Sequence, residues 1–195
     1  MKVRGHCLVW HQYNPEWLTQ GHFTAAQLSP LLQEHIATVM KHYSGGVSRG
    51  MSRTKHSMKM DGSKILCGTT SPASAWLEKT LPTWSKVFAW AHEADPHALL
   101  FYNEAEGEGL NRKSDTVYTM VKDFKHRGVP IDGVGLQLHI SRLAVDTAAI
   151  ASNIARLTAL GVQVHITELD VSLPVNASGA GSSEDLHPKL TSIAA

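Results

Sequence analysis

Apolar residues switch along the chain between two spacings. Over the stretch from Gly161 to Val171, Val162, Val164 and Ile166 alternate with Gln163, His165 and Thr167, a β-branched run that reads as a buried strand. It runs out on a carboxylate, Glu168, with a second at Asp170. Before it, Val117, Met120, Val121 and Phe124 recur at helical spacing and predict a helix over Ser114 to Arg127, capped by Gly128. A second helix, Ala148 to Leu160, is closed by Gly161, and Ile131 to Leu138 between the two reads as a strand. Further back, a helix over Pro82 to Ala94 carries Trp84, Val87, Phe88 and Ala91 on one face. It stops at Asp95-Pro96, and Ala98 to Tyr102 follows as a strand. Near the start, Val3 to Trp10 reads as a strand, Thr24 to Pro30 as a turn, and Leu31 to Tyr43 as a helix with Leu32, Ile36, Val39 and Met40 inward.

The second half therefore repeats strand and helix at about 30–35 residues, the period of a βαβ unit, and predicts a parallel sheet. Gln137, His139 and Glu168 all stand at strand exits. Catalytic groups of (βα)8 barrels sit at the C-terminal ends of the strands. No glycine-rich phosphate loop follows any strand, so a barrel fits better than an open nucleotide-binding sheet. A complete barrel takes roughly 250 residues, and this chain of 195 shows about five strands. An incomplete α/β barrel is the expected fold. On the residues alone, Glu168 reads equally as a nucleophile or acid/base group and as a carboxylate that caps a turn or pairs with an arginine.

Composition narrows the partners. A net charge of +1 offers nothing to nucleic acid, and no apolar run is long enough to cross a bilayer. The twelve histidines are scattered rather than clustered, and Cys7 and Cys67 set no disulfide framework. Met1 to Arg4 lacks the apolar segment of a signal peptide, and Asn176-Ala-Ser178 is a glycosylation pattern that matters only outside the cell. Two stretches break the repeat. Ser44 to Ser71 has neither helical nor strand periodicity, and residues 177–195 read as a disordered tail, leaving 1–176 as the domain.

Four stretches, taken together, resemble the glycoside hydrolase family 10 endo-β-1,4-xylanases. They are Arg4-Gly-His-Cys-Leu-Val-Trp-His11, Phe101-Tyr-Asn103, Asp132-Gly-Val-Gly-Leu-Gln-Leu-His139 and His165-Ile-Thr-Glu-Leu-Asp170. The resemblance implies a TIM barrel missing its first two strands and its last, with Met1 an internal methionine. It makes Glu168 the nucleophile of a retaining, double-displacement hydrolysis of xylan, with His139 bonded to its carboxylate and Gln137 lining the same mouth. It assigns His6 and Trp10 to holding sugar on xylan or xylo-oligosaccharides, against readings as a buried imidazole and a core aromatic. Asn103 takes a structural role. No cofactor or metal is implied; a monomer is expected, and secretion is implied by the polymeric substrate.

The family's second glutamate, the acid/base in a motif of the form WDVVNEA, is absent; the anomalous stretch lies where it belongs. Suitable codons for Arg49 onward, read from the third base, encode WDVENEAFNEDGWIEDSVWYD. Met58-Lys-Met-Asp61 leaves little freedom in that reading. The expectation is a fourth-strand region replaced by a frame-shifted segment, with Lys55 where the acid/base stood. Glu104, Glu106 and Glu108 follow a strand and read as a solvated loop, one strand too far round to substitute. Two alternatives remain open: a non-catalytic carbohydrate binder, and a metal-dependent hydrolase using His6, His11, His139, His165 and Glu168. The second lacks any His-x-His or His-Glu-x-x-His pair.

Overall fold

The computed structural model describes residues 4–10, 14–44, 57–61, 84–140 and 145–172, the segment 57–61 by its backbone path. His11, Lys55, Cys67, Asn176 and the tail lie outside them. Strand β1 (Arg4–Val9) buries Leu8 and Val9 at its end, and a single helical turn, α1 (Glu16–Thr19), follows. Helix α2 (Ala25–Tyr43) begins earlier than the apolar pattern predicts and runs through Pro30. The cause is a capping box: the Thr24 hydroxyl accepts from the Gln27 amide while the Gln27 side chain accepts from the Thr24 amide. Those two bonds fix the first turn, and Leu28, Leu32, Ile36 and Met40 form one buried stripe, so the bond lost at Pro30 is tolerated.

Strand β2 (Ser57–Asp61) corrects a second expectation. It lies inside the stretch whose side chains show no strand pattern, yet its backbone pairs in parallel with β1 and with β3 (Leu99–Glu104). Amides and carbonyls on the facing edges of β1 and β3 need partners, and any chain able to extend between them supplies these. The backbone slot is filled although the side-chain pattern is not. Helix α3 (Trp84–Ala94) precedes β3; helix α4 (Arg112–His126) leads to β4 (Gly133–Leu136) and the short β5 (His139–Ile140). Helix α5 (Thr147–Thr158), then β6 (Gln163–Ile166) and β7 (Asp170–Val171), complete the described elements. Asn111 and Asp146 cap α4 and α5, while Gly128 and Gly161 take φ of 69° and 77° where the pattern predicts helix ends.

The strands order β1-β2-β3-β4-β6, all parallel. Leu100, Tyr102, Val134 and Leu136 face the helices and pack with Val87, Phe88, Val121, Phe124 and Leu157 in one core. The opposite face curls inward, so that Arg4 Nη2 of the first strand lies 2.7 Å from His165 Nδ1 of the last. Contact between the two outer strands of a five-stranded sheet requires the curvature of a barrel wall.

Glu104 is not on a solvated loop. It ends β3 with no exposed surface, on the same face as Tyr102, because residues two apart share a side. The Tyr102 hydroxyl donates to Glu104 Oε2 at 2.9 Å, and Lys113 Nζ of α4 lies 3.1 Å from Oε1. Burial pushes the Glu104 carboxyl above its ordinary range, opposed by Lys113, Tyr102 and the Ala105 amide. A carboxyl raised in the folded state contributes stability that is full below its unfolded value of 4.5 and is lost as pH rises through the folded value. Wild-type Tm is therefore expected to fall as pH rises across that window relative to Glu104→Gln, which lacks this titration; parallel melting curves would contradict it. Lys113→Met is expected to cost about 1–3 kcal/mol in denaturant unfolding, since it removes the cation and hydrogen-bond donor from a buried carboxyl.

Candidate active site at the strand exits

Glu168 stands two residues past β6, with its side chain about a quarter exposed (26%). Its amide donates to the Gln137 carbonyl at 3.0 Å, which fastens the carboxylate's own backbone to the exit of β4. Its Oε1 accepts from Asn103 Nδ2 at 2.7 Å. His139 Nε2 lies 3.4 Å from Oε2, and His6 Nδ1 lies 3.9 Å from Oε1. His139 is turned by oxygens at both ring nitrogens: Asp170 Oδ2 at 3.0 Å from Nδ1, and Gln137 Oε1 at 3.1 Å from Nε2. The pairing of β5 with β7, His139 opposite Asp170, sets that arrangement in the backbone.

His6, Gln137, His139 and Glu168 thus come together. Trp10 follows β1, half-buried, and its carbonyl accepts from Asn14 Nδ2 at 3.3 Å. His165 points elsewhere, toward Arg4 and onto the Phe101 ring at 4.5 Å between centroids. Among the described residues, no group of three or more His, Cys, Asp or Glu converges as metal ligands would. Glu104 faces the helices rather than this mouth, Glu106 is exposed, and Glu108 is engaged with backbone amides.

Asn103 and Asp170 are contributions that sequence reasoning did not assign to the carboxylate. Asn103 is fully buried, and its Oδ1 accepts from Thr167 Oγ1 at 2.7 Å, which leaves Nδ2 aimed at Glu168. It belongs to β3, yet it reaches the exit of β6 across the intervening β4. Glycine makes that crossing possible. A Cβ on Gly135 would collide with Asn103 Oδ1 and stand 2.8 Å from Thr167 Cγ2. A Cβ on Gly133 would run into the Phe101 ring, which crosses the same strand to stack on His165. Two glycines two apart in a strand were the legible signal of a close approach.

Gly135→Ala is expected to push the Asn103 amide off Glu168, read as a shift of the Asn103 side-chain NH2 resonances. Gly133→Ala is expected to leave those resonances in place and to cost about 1–3 kcal/mol by overpacking against Phe101. An unmoved Asn103 signal in Gly135→Ala would contradict the crossing.

The family model for glycosyl hydrolase family 10 matches residues 1–192. Endo-1,4-beta-xylanase B of Thermotoga neapolitana is 36% identical over 179 residues, which are 91% of this chain and 49% of that protein. The endo-1,4-beta-xylanase of Geobacillus stearothermophilus is 36% identical over 190 residues, covering 88% and 51%. Among solved structures, native xylanase 10B of Thermotoga maritima superposes with a TM-score of 0.80 at 36% identity, over 97% of this chain and 55% of that one. Xylanase 10B of Thermotoga petrophila RKU-1, solved in complex with xylobiose, gives 0.80 at 33%, over 99% and 58%. The chain spans about half the length of the curated relatives it matches, and its five parallel strands are a piece of their TIM barrel. With its curled parallel sheet, its carboxylate at a strand exit and this match over nearly its whole length, the chain belongs to glycosyl hydrolase family 10.

Proposed function

We propose that this chain carries the nucleophile half of a retaining endo-1,4-β-xylanase, with Glu168 as the attacking carboxylate. The observation that supports it best is the Asn103 bond at 2.7 Å, which holds one carboxylate oxygen while leaving the side chain partly open at the strand exit. Glu168 attacks the anomeric carbon, the glycosidic oxygen leaves, and a glycosyl ester forms that water then hydrolyses. His139 and His6 flank the carboxylate, Gln137 lines the mouth, and Trp10 and His6 hold the neighbouring sugar. Xylo-oligosaccharides are the ligands; relatives have been solved with xylobiose and xylotetraose. The described strands correspond to the third to seventh of the barrel, β2 standing in the fourth-strand place.

The acid/base is missing on this reading, its position falling near Lys55 in a frame-shifted segment. Without it the leaving oxygen goes unprotonated and the attacking water unactivated, each a loss of about 10²–10⁴-fold. Natural xylan is then turned over poorly, whereas an aryl xyloside with an activated leaving group needs no proton to form the ester. The protein acts as a monomer. Secretion follows from a polymeric substrate, although a xylanase of Thermoanaerobacterium saccharolyticum at 30% identity is described as intracellular.

Hydrolysis of xylan and of 2,4-dinitrophenyl β-xylobioside by the purified chain tests this. Slow turnover of the aryl substrate is expected, abolished by Glu168→Gln and accelerated by azide, an anion that needs no base. Xylo-oligosaccharide binding with no turnover of either substrate would favour a carbohydrate-binding chain instead.

A further inference from the structure

Two non-glycine residues among those described adopt the left-handed backbone region, Glu106 at φ 60° and Leu138 at φ 63°. Both donate their backbone N–H to the same atom, Glu108 Oε1, at 3.1 and 2.9 Å. A leucine in that region is strained and persists only where its surroundings hold it. Glu108 is half-buried and itself held: the fully buried Asn153 of α5 donates from Nδ2 to the Gly107 and Glu108 carbonyls at 2.8 and 2.9 Å. Arg156 Nε in turn donates to Asn153 Oδ1 at 2.9 Å. Leu138 separates Gln137 from His139, the two side chains that meet at Nε2 beside Glu168. Its backbone turn decides how β4 hands over to β5, and hence where the imidazole stands.

We infer that Glu108 is a positioning residue, which through the Leu138 amide sets the place of His139 against the Glu168 carboxylate. The inference deepens the proposed function and rests on Glu168 being the nucleophile. Glu108 does not itself enter the chemistry: Oε1 is committed to two amides, that of Glu106 on the loop after β3 and that of Leu138 between β4 and β5. Its part is to hold the strained turn in one of its accessible shapes, so that the attacking carboxylate meets the sugar in a near-attack geometry. A carboxylate oxygen accepting two amides is matched by an amide oxygen, which also has two lone pairs. Glutamine is therefore the conservative replacement, while alanine removes the acceptor.

The test is the stopped-flow burst of dinitrophenolate from 2,4-dinitrophenyl β-xylobioside, which reads ester formation alone, together with the imidazole resonances of His139. Glu108→Ala is expected to slow the burst about 10–100-fold, since a misplacement of about 1 Å costs that much. Its apparent substrate affinity is expected to change by less than about 3-fold, and Glu108→Gln to stay within about 3-fold of wild type in both. The His139 resonances are expected to move in the alanine variant and to stay in the glutamine variant, with those of His97 and His126 unchanged throughout. A full-rate alanine variant with unmoved His139 signals would overturn the inference, as would a glutamine variant as slow as alanine. If Glu108→Ala does not fold, Glu108→Asp, too short to reach Leu138, is expected to show the same loss. A wild-type protein with no burst defeats the nucleophile reading instead, and the His139 resonances then decide the positioning role alone.

Discussion

The hydrogen bond from Asn103 to Glu168 is the contact on which the site depends, and it exists because a strand between them lacks side chains. Glu168 leaves β6 and Asn103 lies in β3, with β4 in between. Gly135 removes the one Cβ that would block the path, and Thr167 fixes which end of the amide faces the carboxylate. A buried amide with both ends engaged has a single low-energy orientation, because any rotation leaves a buried donor or acceptor unpaired. The Glu168 carboxylate is thereby held by the barrel wall rather than by a loop, the more rigid of the two supports.

Around that contact the charged groups divide by face. Tyr102, Glu104 and Lys113 form a buried network on the helix side of β3, while Asn103, one residue on, points to the inside. Alternation along one strand thus separates a carboxyl that binds a helix to the sheet from the amide that holds Glu168 at the strand exits. Glu108 makes the link between the two layers: Asn153 of α5 holds its loop, and its carboxylate holds Leu138.

Much of this was legible in the residues. The βαβ period, the helix ends at Gly128 and Gly161, and the strand exits at Gln137, His139 and Glu168 follow from periodicity and turn chemistry. Those signals are local and survive in an incomplete barrel. What was not legible depends on partners distant in sequence. Pro30 reads as a turn until the Thr24–Gln27 box overrides it. Glu104 reads as a loop residue until β3 is seen to extend through it to pair with Leu136. The strand Ser57–Asp61 carries no side-chain pattern, because what places it is the backbone demand of its two neighbours. Asn103 reads as structural, and a chain separation of 65 residues hides its bond to Glu168.

The most direct measurement is a peptide map of the wild-type chain after reaction with 2,4-dinitrophenyl 2-deoxy-2-fluoro-β-xylobioside, whose fluorine slows release of the ester. One adduct per chain, located on Glu168, is expected, and none in Glu168→Gln. An adduct on another carboxylate, or labelling that persists in Glu168→Gln, would contradict the assignment of the nucleophile.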